Sequence, residues 1–233
     1  MRSATGRRRV SRLSVHQCAS SLAAVAACAL VPPVAGESPG WPDTPLARTQ
    51  ALAELQTLNA DLLSHPSATL TLERWCATHH LAVEAKVLAR RVHGIDKPLP
   101  ADGRALLGIT ANEPVRYRRV QLTCGAMVLS DADNWYVPSR LTAAMNRQLD
   151  STDAPFGKVV QPLHFRRQTL SAALLWSPLP AGWDSGAPLP PSGAAPLRLP
   201  EHLLEHRAVL YAQDGRPFSL VVEDYTAAVL TRP

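Results

Sequence analysis

Two tight reversals constrain the fold most: Gly125-Ala126, and Gln213-Asp214-Gly215-Arg216. Residues of these types supply the backbone conformations that antiparallel hairpin turns require. On either side, β-branched and aromatic residues alternate with polar ones, which predicts strands over residues 82–93, 115–124, 127–137, 207–212 and 217–225. Upstream, Leu52, Leu55, Leu58, Leu62 and Leu63 recur at helical spacing. A second helix is expected over 69–79, with Leu72, Trp75 and Cys76 apolar, and a third carries Leu141, Met145 and Leu149 after Pro138. These stripes are core faces. Helices first and hairpins after predict an α+β fold, an antiparallel sheet with helices packed on one face.

Charge divides the chain. The whole sequence has 24 Lys plus Arg against 19 Asp plus Glu, but five arginines (Arg2, Arg7, Arg8, Arg9, Arg12) and no acid precede Glu37, leaving 19 of each sign in the remainder. The basic excess therefore belongs to the leader and gives no argument for nucleic acid as a partner. An Arg-rich start, an uncharged stretch from Cys18 to Val31 and small residues at Val34-Ala35-Gly36 read as a signal peptide over 1–36. The apolar run is shorter than the roughly 20 residues of a comfortable membrane span. Val25-Ala26-Ala27-Cys28 also has the order of a lipoprotein site, with Cys28 as the lipidated residue. Either route exports the mature domain to the periplasm or tethers it in the envelope, and a lipid at Cys28 would be its one membrane contact.

Behind a linker over 37–45, residues 46–233 have the size of a single domain. Ser177 to Pro200 holds seven prolines and three glycines in 24 positions, so regular structure should fail there. That stretch is an excursion within the domain. Two cysteines remain beyond the leader, Cys76 and Cys124. An oxidising compartment permits a disulfide between them, and two buried apolar thiols are the alternative. No CxxC pair or His/Cys cluster offers zinc its usual spacing, so no metal or other cofactor is expected. His79-His80 point to different faces of a helix and read as surface residues.

Two charged residues stand out in apolar strands. Arg118 shares a face with Val120, Leu122 and Cys124, and Arg119 shares the other with Tyr117, Gln121 and Thr123. A guanidinium on an inward face must meet a carboxylate, from the protein or from a ligand. A structural ion pair, or an edge strand whose arginine reaches water, is the plainer account. Glu223 shares a face with Val221 and Tyr225 and presents the same choice.

Several blocks spread over residues 52–230 resemble the bacterial chorismate lyase family and the related ligand-sensing domains of transcription regulators. They are Leu62-Leu63 with Ser67-Ala68-Thr69, the strand Tyr117-Arg118-Arg119-Val120-Gln121-Leu122, and a following strand, 132–138, that ends in proline. Ala154-Pro155-Phe156-Gly157-Lys158 and Gly215-Arg216-Pro217 leading to Glu223 complete the set. The resemblance implies that Arg118 binds the carboxylate of an aromatic or cyclic acid and that Glu223 contacts an oxygen across the ring. By the same resemblance Ala68, Phe156 and Gly157 line the pocket. A one-residue difference after the arginine strand leaves Arg119 as the rival of Arg118, and face alternation favours Arg118.

As a catalyst of that family the protein would be a cofactor-free lyase releasing pyruvate and 4-hydroxybenzoate from chorismate, with Arg118 and Glu223 as its catalytic pair. An exported enzyme would rarely meet that cytoplasmic intermediate, and Ala68 and Phe156 depart from the family's methionine and leucine. The expected function is therefore binding of a small aromatic or cyclic carboxylate, with lyase activity or a non-catalytic envelope role as the alternatives.

Overall fold

The computed structural model describes residues 40–232, so the expected signal peptide and the lipidation site at Cys28 lie outside the described residues. Six strands form one antiparallel sheet in the order β1-β2-β3-β6-β5-β4. They are β1 (Val87–Arg91), β2 (Arg116–Cys124), β3 (Met127–Tyr136), β4 (Arg166–Leu174), β5 (His202–Tyr211) and β6 (Pro217–Thr226). Both expected hairpins are present. Gly125 turns β2 into β3 at φ 55°, and a Cβ there would meet that of Ala82 at 2.9 Å, so the position needs glycine twice over.

Helix α1 (Pro45–Ser64) begins at Thr44, whose hydroxyl accepts from the Ala47 amide, with Pro45 in the first turn. Helix α2 (Ala68–Thr78) is capped by Ser67. The two bury Leu55, Leu58, Leu62, Leu72 and Trp75 against β1, β2, β3 and β6. Each such side chain contributes about 1.5–3 kcal/mol by leaving water. Leu63, expected in that stripe, is exposed at the rim. Helices α4 (Ala143–Ser151) and α5 (Phe156–Val159) pack on the same face through Met145, Leu149 and Phe156 against Phe218 and Val221. On the opposite face the short α3 (Gly103–Leu107) covers Trp135, Val209 and Leu220 with Leu107.

Several boundaries differ from expectation and one strand is new, each for a local reason. The first strand is only Val87–Arg91, because Val87 already faces Cys124 at the end of β2 and the preceding residues have no partner strand. β5 starts at His202, earlier than expected, since β6 continues alongside it to Thr226. β4 was not expected: as an edge strand of mostly exposed Arg, Gln, Ser and Ala it carries almost no apolar alternation. The segment expected as linker joins the domain at Trp41, which is buried and donates to the Leu230 carbonyl at 2.9 Å.

Residues 177–200 are irregular apart from one short turn of 3-10 helix, Trp183–Ser185. They fold back on α1, where the Arg48 guanidinium donates to the carbonyls of Pro190 (2.8 Å) and Pro191 (3.0 Å). Cys76 and Cys124, both buried, form a disulfide between α2 and β2 with Cα atoms 6.4 Å apart. Among the described residues, no helix is long and apolar enough to cross a membrane.

Candidate functional site

The helix-covered face of the sheet does not close completely. A cavity remains beneath the first turn of α2 and the start of α5, floored by β2, β3, β6, β5 and β4. Arg118, Glu223, Ala68, Phe156 and Gly157 all line it. Its roof is tight at Gly157, where a Cβ would meet the Ser67 hydroxyl at 3.2 Å. The space open to the centre of a water molecule is about 50 Å³, room for a handful of waters.

Strand alternation sends Arg118 inward, opposite Asn134 of β3, and Arg119 outward. Arg119 is neutralised there by Asp133 at 3.0 Å and Asp131 at 3.7 Å. Among the described residues Arg118 forms no ion pair, the nearby Asp153 acting on it only at a distance. Its Nη2 donates to the carbonyls of Thr152 (3.3 Å) and Ala154 (3.0 Å), while Nε and Nη1 are buried with no partner. Burial, reinforced by the like charge of Arg91, lowers its pKa to about 10, which still leaves it charged at neutral pH.

Glu223 reaches the cavity from β6 but is not free. Its Oε2 accepts from Arg167 Nη2 at 2.6 Å and from the Tyr225 hydroxyl at 3.2 Å. Glu223 shares the cavity lining with Arg118, and its carboxylate is held there by a cation the sequence did not point to, Arg167 of β4. Burial pulls the Arg167 guanidinium down and Glu223 lifts it, with a net rise. Burial, with Glu223 alongside, pushes the Tyr225 phenol well up. Behind the pair lies His206, opposite Glu223 in register, held to about 4 by burial and then by the charge of Arg167. Its Nε2 lies 2.8 Å from Asn59 Oδ1, an acceptor, so Nε2 carries the proton and Nδ1 is left bare and unpartnered.

Arg167 and Asn134 were missed in the sequence. Asn134 Oδ1 accepts from Ser219 at 2.5 Å, leaving its buried Nδ2 without a partner, and Arg167 Nε is also unpartnered. Asn134 was within reach of the reasoning applied to Arg118, being a polar residue on the inner face of an expected strand. Arg167 had no such signal without β4. Arg118, Asn134 and Arg167 thus line the cavity while keeping buried nitrogens without a hydrogen-bond partner among the described residues, and one positive charge stays unmatched, since Arg167 and Glu223 cancel. Among the described residues, no trio of His, Cys, Asp or Glu ligand atoms converges on it.

These features define an α+β domain with a small, partly open cavity of net positive charge under its helices. The chain belongs to the same family as the uncharacterized protein y4mC of Sinorhizobium fredii (strain NBRC 101917 / NGR234), with which it is 58% identical over 194 residues, 83% of this chain and 82% of that one. No protein-family model matches the chain. Among solved structures it is similar to PhnF from Mycobacterium smegmatis, at 16% identity and TM-score 0.46 over 73% of this chain and 67% of that one. It is also similar to the effector domain of that protein, at 16% identity and TM-score 0.41 over 61% of this chain and 82% of that one. At TM-scores under 0.5 and so little identity, the ligands of those proteins do not transfer to this one.

Proposed function

We propose that this protein is an exported binding domain for a small aromatic or cyclic monocarboxylate. The observation that carries the reading is the buried Arg118, with Nε and Nη1 unpartnered on the wall of the cavity. A buried guanidinium without an anion is costly, whereas a carboxylate accepting from two of its nitrogens makes the strongest kind of hydrogen-bonded pair. One unmatched positive charge calls for one negative charge on the ligand. The unpartnered Asn134 and Arg167 donors ask for a second acceptor, such as a hydroxyl or carbonyl oxygen. Between them Val120, Leu122, Phe156, Phe165 and Val221 supply the apolar walls that a ring prefers. The small volume favours a compact acid.

Binding is preferred to lyase chemistry because Glu223, the residue that would protonate a departing oxygen, is already committed to Arg167 and Tyr225. The Arg-rich leader and the Cys76–Cys124 disulfide support export, since disulfides persist in oxidising compartments. Recovery of the protein from the cytoplasm with both thiols free would overturn that part.

The test is a thermal-shift panel of aromatic and cyclic monocarboxylates on the purified protein. A true ligand at 100 times its Kd stabilises by about 2.7 kcal/mol, and Arg118→Met should abolish the shift. Incubation with chorismate is the second arm: steady release of 4-hydroxybenzoate would overturn the binding reading in favour of the lyase.

A further inference from the structure

On the sheet face away from the cavity, Asp131 of β3 and Glu201 and His202 at the entry to β5 bring one ligand atom each to within 4.8 Å of the others. The local geometry is ordered. Asp131 is buried, and its Oδ1 is engaged by Gln121 Nε2 at 3.2 Å and by Arg119 Nη2 at 3.7 Å. Its Oδ2 is thereby turned toward His202 Nε2, 3.0 Å away. Glu201 is fixed through its backbone, whose carbonyl accepts from the Ala227 amide at 3.0 Å. Outer contacts that orient a carboxylate in this way are the usual support of a metal ligand.

A simple His–Asp pair accounts for two of the three groups but not for the charge around them. Asp224 stands opposite Asp131 in the β3–β6 register, and it makes no ion pair among the described residues. Asp131, Asp133, Glu201 and Asp224 gather here with Glu205 opposite Asp224, while Arg119 and Lys97 both contact Asp133 and Arg119 also lies 3.7 Å from Asp131. Glu201 makes no ion pair among the described residues, and two carboxylates converging on one imidazole are the complement of a divalent cation.

We infer that Asp131 Oδ2, a Glu201 carboxylate oxygen and His202 Nε2 form a binding site for a divalent transition metal of the zinc class, with water completing its coordination. One imidazole with two carboxylates suits zinc or manganese better than calcium, which takes six to eight oxygens. Asp131 comes from β3 and the adjacent Glu201 and His202 from the entry to β5, so no spacing in the sequence announces the trio. His202 and Glu201 follow directly on the proline-rich excursion, so a bound ion would tie its exit to the middle of the sheet. This site is independent of the cavity, and so is its test.

The experiment is calorimetric titration of the purified, tag-free and EDTA-treated full chain with Zn2+, with Ca2+ as the contrast, and Co2+ as a spectroscopic probe of coordination. The expected result is one saturable equivalent of Zn2+ and visible Co2+ bands. Affinity should fall about a hundred-fold or more in His202→Ala, and also in Glu201→Gln, whose exposed position leaves folding undisturbed. Absence of saturable Zn2+ binding, or binding undiminished in both variants, overturns the inference.

Discussion

Arg167 Nη2 lies 2.6 Å from Glu223 Oε2 in a buried ion pair, while the other guanidinium on the same cavity wall, Arg118, forms no ion pair among the described residues. The two arginines therefore have opposite relations to stability. One neutralises a protein charge, and the other waits for a charge the protein does not provide.

For Arg118, removal of the cation should relieve a folding penalty. Arg118→Met is expected to leave the ligand-free protein as stable as the wild type or more so. A gain of about 1 kcal/mol would raise the Tm by roughly 2–4 °C in a domain of this size. The same variant should lose ligand affinity by at least about a hundred-fold. Calorimetric melting of the ligand-free protein checks the first half, and a lowered Tm would show that the guanidinium is structural.

For the pair, Glu223→Gln strands Arg167 as an uncompensated buried charge and should cost about 3–5 kcal/mol in urea unfolding. Adding Arg167→Met should recover most of that loss. If the double variant is as unstable as the two single losses summed, the residues do not act on each other.

His206 sets a pH dependence. Its folded-state value of about 4 lies below the ordinary 6.5, so as pH falls the unfolded chain takes up the proton first. Its contribution is fully present above about pH 6.5 and is lost as pH drops toward 4, at up to about 1.4 kcal/mol per pH unit. The urea midpoint should fall through that window, and the fall should be shallower in His206→Asn, which keeps a donor for Asn59.

The Cys76–Cys124 bond spans 48 residues of chain, which on the loop-entropy model is worth about 4 kcal/mol. Reductant should lower the urea midpoint of the wild type but leave Cys76→Ala/Cys124→Ala unchanged. A wild type indifferent to reductant would mean that the thiols are not bonded in solution.

Much of the fold was legible because it rests on local chemistry. The Gly125 and Gly215 turns, the leucine stripe of α1 and the alternation in β2, β3 and β6 each repeat a periodic rule, and alternation alone separated Arg118 from Arg119. What stayed hidden depends on neighbours. β4 is a strand because β5 offers it an edge, not because its polar residues favour extension, and with it went Arg167 and the true partner of Glu223. The cluster of Asp131, Glu201 and His202 is likewise assembled only by strand pairing. Whether Cys76 would find Cys124 depended on how α2 lies over β2, which no sequence spacing encodes.

The most direct test of the cavity's role is calorimetry on the purified protein with a panel of aromatic and cyclic monocarboxylates, each matched with the corresponding uncharged alcohol. The prediction is saturable one-to-one binding of an acid, no detectable binding of its alcohol, and loss of the acid's binding in Arg118→Met. Equal binding of acid and alcohol, or an affinity unchanged when Arg118 is replaced, would contradict it.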